Sequence, residues 1–397
     1  MKIFKFEIRN YRSCIHTVFN MNENLTALIG INGVGKSNIL YGLQLFNKIK
    51  SNRRFFNEIA KEEFSKTQIN LEIYINNRMT FVRADFYYET NERNIDVINF
   101  YEIKYRFEGS NARKWNKIIP EAYDISEFID EKRNFQDLPK RYQNESIKFS
   151  VDLIKSLANI SYYSATQFSD PSKCPVSLEL SDFRISSQRR KSDVHEKFIH
   201  DLYTAKKTSL PTFNLFLNTV GESGLELIQD IKFHVHQIPS SSYKVKTGGE
   251  IQKIENFKKI IVPSIKIDGL SLSPNQLSEG TFKTLALVFY ILNDSSDVLL
   301  IEEPEVSVHH GLLNSIIELV KQQSHQKQII ISTHSDYVLD MLKPNNILLV
   351  NKKENQGTKA QSLTKTLSKN EYKVLKEYLQ TSGNLGEYWK EGGFDDE

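Results

Sequence analysis

Cysteine is nearly missing from this chain: only Cys14 and Cys174 occur among 397 residues. They form no CxxC pair, which excludes a disulfide framework and a cysteine-based zinc module. Long apolar runs are also missing. No segment approaches the ~18 consecutive apolar residues that a membrane-crossing helix needs. The opening MKIFKFEIRN lacks the uninterrupted apolar stretch of a secretion signal. The expectation is a cytoplasmic protein with no membrane partner. An excess of one charge is missing too, since 52 basic and 49 acidic residues leave only +3. Such a balance does not mark a nucleic-acid binder, although short basic runs at Arg189, Arg190 and Lys191, at Lys206 and Lys207, and at Lys258 and Lys259 could contact phosphates. Solvated faces account for runs of that length more often. The histidine pairs His195 and His200, His234 and His236, and His309 and His310 have no third and fourth ligand at zinc spacing, and read as structural or surface residues. There is no internal repeat, no low-complexity tract and no sustained heptad.

What is present is the composition of a globular protein, 39% hydrophobic and 25% charged. The length allows two or three packed units at roughly 150 residues each. Phe4, Phe6 and Ile8 alternate as on a strand that runs into a turn at Asn10 to Ser13, and a second short strand ends near Phe19. A compact apolar strand at 25–29 is followed by a glycine-rich loop and a helix over about 36–47. From 68 to 107 three tyrosine- and phenylalanine-rich stretches of period two predict an antiparallel meander. Residues 120–235 show mainly helical spacing, interrupted by a strand-like YYSATQF at 162–168, and 240–250 reads as a flexible loop. Trp115 is exposed by pattern. Beyond about 260, apolar strands at 297–305, 328–336 and 346–352 alternate with amphipathic helices, which predicts a largely parallel sheet covered by helices. The expected fold class is therefore α/β: a parallel core sheet made by both ends of the chain, an antiparallel β lobe and a helical insertion. The boundaries read as 1–119, 120–259 and 260–397.

Five motifs carry chemistry. Gly30, Ile31, Asn32, Gly33, Val34, Gly35, Lys36 and Ser37 match GxxxxGK[ST], between a predicted strand and a predicted helix. Its glycines let amides wrap an anion, and the helix start adds free N–H groups and a positive dipole end. Lys36 would reach the β- and γ-phosphates of ATP, Ser37 would ligate Mg²⁺, and Asn38 opens the helix beside them. Glu302 and Glu303 end an apolar strand; Glu302 would hold Mg²⁺ through water and Glu303 would polarise the attacking water. Pro304 would equally well begin an acid-decorated helix. Ser278, Glu279 and Gly280 (LSEG) begin a helix and form a second anion site, or else an ordinary N-cap. His334, past another apolar strand, could hydrogen-bond a γ-phosphate. Gln167 could touch Mg²⁺ or the attacking water.

In this order the motifs resemble the ABC-type ATPase heads of the SMC, RecF and OLD group, often catalogued as AAA family ATPases. The resemblance is strong over about 1–45 and 262–350 and weak between them. It implies that 30–37 is the Walker A loop, Gln167 the Q-loop, Ser278 to Gly280 the signature, Glu302 and Glu303 the Walker B pair, 305–309 the D-loop and His334 the switch histidine. Arg12, in the opening strand and turn, would lie beside the nucleotide, and the ending GNLGE at 383–387 is similar to tails in this group. Two departures stand out: Glu302 replaces the aspartate of many relatives, and the D-loop reads VSVHH. The resemblance further implies an ATP-hydrolysing homodimer, or a higher homo-oligomer, that sandwiches ATP between Walker A of one copy and the signature of the other. Members of the OLD branch often carry a TOPRIM nuclease domain, and the 63 residues after His334 are too few for one. The leading expectation is therefore an ATPase that gates or scaffolds a separate effector, a nuclease or toxin, in anti-phage defence. The alternative is a RecF-like, DNA-binding repair or recombination ATPase with nucleic acid as its partner.

Overall fold

The computed structural model describes residues 1–51, 65–90, 96–110, 114–118, 145–180, 193–245, 251–381, 383–392 and 394. Arg189, Arg190, Lys191 and the acidic end at 395–397 lie outside the described residues. Two compact units divide the chain.

The first unit comprises Met1–Tyr163, Ser295–Glu305 and Ile317–Glu397. Its antiparallel sheet has the order β2-β1-β4-β5-β6-β7, with β1 Lys2–Tyr11, β2 Cys14–Asn20, β4 Ser65–Ile75, β5 Arg78–Thr90, β6 Asp96–Phe107 and β7 Asn116–Lys117. The expected meander is therefore continuous with the opening strands. Alternation is the reason: along β4, Thr67, Ile69, Leu71, Ile73 and Ile75 are buried while the residues between them are not. The second sheet has the order β16-β15-β3-β14-β13-β8, with β3 Leu25–Ile29, β8 Ile160–Ser164, β13 Val298–Glu302, β14 Gln328–Thr333, β15 Ile347–Lys353 and β16 Gly357–Ser362. β15, β3, β14 and β13 run parallel, and β16 returns antiparallel to β15. All five residues of β13 and all six of β14 are buried, as continuous apolar runs covered on both faces should be.

One hydrophobic cluster joins both sheets to helix α1 (Lys36–Gln44), with Phe6, Ile8, Leu40, Leu43, Leu300 and Ile330 among its members. Gln328, wholly buried at the start of β14, accepts from Ile3 N and donates to Ile3 O, both at 2.8 Å, stitching β1 to the parallel sheet. Helix α2 (Glu145–Ala158) sets Phe149 against the rings of Tyr105 and Phe107. Trp115 is half-buried, with the Arg106 guanidinium 5.3 Å from its ring, rather than free in solvent.

The second unit comprises Ser164–Asp294 and Val306–Ile316. It holds β9 (Leu178–Glu179), α3 (Val194–Thr208), α4 (Leu210–Val220), β10 (Asp230–Val245), β11 (Ile251–Ile267), β12 (Leu270–Leu272) and α5 (Glu279–Asn293). Phe168, Phe198, Phe216, Phe282 and Phe289 form its aromatic core, and His195 stacks on Phe282 at 5.5 Å and 19°. Among its described residues the segment 120–259, expected to be mainly helical, also carries long strands. Its first described helix belongs to the first unit, and its end carries the two longest strands, β10 and β11. Residues 240–245, read as loop, continue β10 in register with 251–256. The misleading signal was Pro239 followed by three serines, which reads as a turn. In the hairpin Pro239 faces Phe257, on β10 at the edge of its sheet, where proline is tolerated.

Helix α6 (His310–Gln323) begins in the second unit and ends in the first. The first unit finishes with α7 (Asp336–Asp340), α8 (Leu363–Thr366), α9 (Lys369–Thr381) and α10 (Leu385–Lys390). No helix among the described residues is long and apolar enough to cross a membrane.

Candidate functional site

Three adjacent parallel strands deliver most of the candidate residues. β3 ends at Ile29 and runs into the 30–37 loop; its neighbour β14 ends at Thr333, beside His334; β13, next in line, ends at Glu302, beside Glu303. Parallel strands place their carboxyl ends on one side of the sheet, where open α/β sheets bind ligands.

The loop is built for an anion. Gly35 takes the N-cap position of α1 at φ 106°, no side chain caps the first turn, and that turn carries no acid. Its amides and the positive end of the dipole are left for a negatively charged group. Gly35 has no alternative: a Cβ there would lie 2.1 Å from Thr358 Oγ1 and 2.6 Å from Ser13 Oγ. Thr358 is wholly buried on β16 and donates to Val34 O at 2.7 Å. With that proton committed, Ser13 must donate across the 2.8 Å contact to Thr358 Oγ1, and Asn38 Nδ2 donates to Ser13 Oγ at 2.6 Å. Asn38 thus braces the loop. Asn32 and Gly33 are exposed and Ser37 is half-buried on α1.

Lys36 Nζ donates to Gly30 O at 2.6 Å and Ile31 O at 3.0 Å, so the ammonium already lies over the loop. Burial lowers its pKa, while the charges of Glu303, Glu305 and Glu302 act the other way. Arg12, at φ 50°, holds its guanidinium 5.0 Å from the Tyr41 ring and 5.4 Å from that of Tyr11.

Opposite stand the acids. Glu302 is 7% exposed and accepts a hydrogen bond from the Tyr162 hydroxyl at Oε2. Glu303 adopts φ 48°, a region side chains of its size avoid, with its N–H on Ser332 O at 2.9 Å. His334 Nδ1 lies 3.4 Å from Glu303 Oε1 and 3.4 Å from Glu305 Oε1. Glu305 accepts from Thr333 Oγ1 at 2.6 Å and from His334 N at 3.1 Å. Burial raises its pKa, and those hydrogen bonds offset the rise only in part. Glu305 Oε2 and Ser332 Oγ are buried with no hydrogen-bond partner among the described residues. Buried orphans of this kind mark a place where a polar ligand or its water belongs. The donors and acceptors fit a phosphate with a hard, oxygen-seeking cation such as Mg²⁺, toward which the Ser37 hydroxyl and the Glu302 carboxylate would offer oxygens.

The remaining candidates lie in the second unit. Ser278 is exposed at the N-cap of α5, its Oγ accepting from Thr281 N at 3.1 Å. Glu279 is exposed and pairs at 2.6 Å with Lys283, whose side chain is 3% exposed. Gly280 approaches the D-loop so closely that a Cβ would lie 2.8 Å from Ser307 O. Gln167 is exposed in a 3-10 turn, Ala165–Phe168, whose Phe168 is anchored in the aromatic core.

Sequence reasoning missed Tyr162, Thr358 and Lys283. Each reads as an ordinary strand or helix residue, and only tertiary contact reveals its role. Two of the basic runs are partly engaged: Lys206 donates to Ile231 O at 3.0 Å, and Lys258 pairs with Glu179 at 3.0 Å. Among the described residues no group of three or more His, Cys, Asp or Glu could hold a metal.

Solved SMC heads are similar to this chain. One, bound to the C-winged helix domain of ScpA, gives a TM-score of 0.48 at 15% identity, covering 92% of this chain and 99% of that one. Another, from Thermotoga maritima, gives 0.43 at 13% identity, covering 91% and 99%. Among curated proteins, Endonuclease GajA of Bacillus cereus (strain VD045) is 24% identical over 382 residues, covering 89% of this chain and 59% of GajA. The Retron Ec83 probable ATPase of Escherichia coli is 22% identical over 395 residues, covering 88% of this chain and 71% of that protein. This chain therefore spans less than two thirds of GajA's length. The AAA ATPase domain family matches residues 1–339, most of the chain and all five motifs. With a P-loop on a parallel core sheet, acids at the neighbouring strand ends and that match, the chain belongs to the AAA ATPase domain family.

Proposed function

We propose that this chain is an ATP-hydrolysing switch whose copies pair around ATP and Mg²⁺ and thereby gate a separate effector, in bacterial anti-phage defence. One observation carries the reading. The chain presents two unlike helix starts, an uncapped one behind Lys36 and one whose exposed Ser278 hydroxyl caps Thr281 N, both of them candidate anion sites. A single triphosphate needs one cradle, so the second start is best used on a neighbour's nucleotide. Lys36 and the α1 amides would hold the β- and γ-phosphates, with Ser37 and Glu302 toward Mg²⁺, which supplies charge neutralisation when bound. Glu303 would orient the attacking water, helped by His334 at 3.4 Å. Ser278 and Gly280 of a second copy would close the site. Pairing would then be a two-state equilibrium biased by a ligand that favours the closed form. The relatives, an endonuclease and a retron ATPase, favour a defence setting over other uses of such a switch.

Light scattering on Glu303→Gln tests this. ATP with Mg²⁺ should double the mass, and adding Ser278→Arg should abolish the doubling without removing nucleotide from the single subunit. Bound ATP with no change in mass in the Glu303→Gln protein would sink the reading. The rival, a RecF-like DNA ATPase, is weakened because Lys206 and Lys258 are already engaged. DNA affinity with a steep salt dependence, lost when Arg189 and Arg190 are replaced, would favour it.

A further inference from the structure

We propose that Tyr162 is a positioning residue for the magnesium-side carboxylate, its hydroxyl holding Glu302 in the orientation from which it can face the cation. The inference rests on the reading of Glu302 as a Mg²⁺ ligand and adds to it a residue outside every motif. Tyr162 lies on β8, beside β13 at the edge of the parallel sheet. Its hydroxyl donates to Glu302 Oε2, and its ring meets the Tyr41 ring at 5.7 Å and 55°. Tyr41 stands four residues beyond Ser37 on α1, so the two share a helix face. Tyr162 therefore ties together the two elements that carry the oxygens meant for Mg²⁺, the α1 face and the end of β13.

The need for such a tie follows from the side chain. Glutamate has one more torsion than aspartate, and its terminal torsion is broad rather than confined to sharp wells. Left alone, a glutamate at this position would spread its carboxylate over several orientations. A directed O–H donor removes that freedom, as outer partners of metal ligands generally do.

Tyr162→Phe separates the two roles, because it keeps the ring against Tyr41 and deletes the donor. The measurement is binding of a fluorescent ATP analogue to the full chain, titrated with Mg²⁺ and repeated in EDTA. Half-saturating Mg²⁺ should rise about tenfold or more, with EDTA binding unchanged even though the melting temperature falls a little as buried Glu302 loses its donor. In a Glu302→Asp background the shorter carboxylate withdraws from the hydroxyl, so the same change should have little further effect. An unshifted Mg²⁺ midpoint in Tyr162→Phe overturns the proposal. So does an equal loss in the Glu302→Asp background, which would mean the hydroxyl acts elsewhere. Wild-type protein that binds no nucleotide at any Mg²⁺ concentration would instead remove the ATPase reading beneath it.

Discussion

Lys283, with a side chain only 3% exposed, donates from Nζ to Ser307 Oγ at 3.1 Å, joining the helix of the LSEG motif to the D-loop. Ser307 sits at φ 64°, and its carbonyl lies where a Cβ on Gly280 would fall at 2.8 Å. The two motifs are therefore in direct contact within their unit. Lys283→Met should cost about 1–3 kcal/mol in urea unfolding, since Glu279 and Ser307 lose a charged donor. It should also weaken ATP-driven pairing while leaving nucleotide affinity of the single subunit intact. Unchanged pairing would show that the D-loop needs no such tie.

The P-loop is held from outside by Thr358. Thr358→Val is nearly isosteric but leaves Val34 O without its donor and the Ser13 hydroxyl proton without its acceptor. Stability should fall by about 1–3 kcal/mol, and nucleotide affinity should weaken several-fold without vanishing. Lys36→Ala, by contrast, should abolish or nearly abolish binding with little effect on the melting temperature. Equal nucleotide affinities for the two variants in equilibrium titration would mean the bracing is not separable from the phosphate contact.

Glu303 and His334 predict a split between binding and turnover. Glu303→Gln should retain ATP and slow phosphate release by about 10²–10⁴-fold, the usual range for a general base. His334→Ala should also slow turnover, because the imidazole lies 3.4 Å from Glu303 Oε1 and helps aim it. Single-turnover assays distinguish this from product release. Normal turnover in Glu303→Gln would assign the water to another residue.

A pH dependence is built into the end of the chain. Lys390 forms an ion pair with Asp336, and that hydrogen bond is the main cause of the lowered Asp336 pKa. A carboxylate whose folded pKa lies below its unfolded value binds fewer protons when folded, so its contribution is present above pH 3.8 and is lost as pH falls through the folded value. Lys390→Ala should therefore lower stability slightly at neutral pH, and the gap from wild type should close in acid below pH 3.8. Unfolding midpoints across that range check it. Because Gly386 N also donates to Asp340 Oδ1 at 2.6 Å, hydrogen exchange in 336–340 should rise in the variant.

The parallel core was legible because its strands are buried on both faces and so read as unbroken apolar runs, as at Val298 to Ile301. The meander was legible through alternation along 68–107. The β10–β11 hairpin was not, since an edge-like hairpin with exposed polar residues and a proline has no periodic signature of its own. The candidate site divides the same way. Lys36, Glu302, Glu303 and His334 sit at fixed places relative to strand ends, whereas Tyr162, Thr358 and Lys283 act through partners 140, 324 and 24 residues away.

By itself, then, the amino-acid order marked the candidate phosphate loop, because a glycine loop between strand and helix makes its anion site from local backbone alone. Tertiary structure decided how the site residues are aimed: that Glu302 takes a tyrosine proton, that Asn38 and Thr358 brace the loop, and that Glu305 and Ser332 keep buried oxygens open. The physical reason is range. Backbone geometry and capping are set within a few neighbours, while the orientation of a buried carboxylate depends on donors that only folding brings within hydrogen-bond reach.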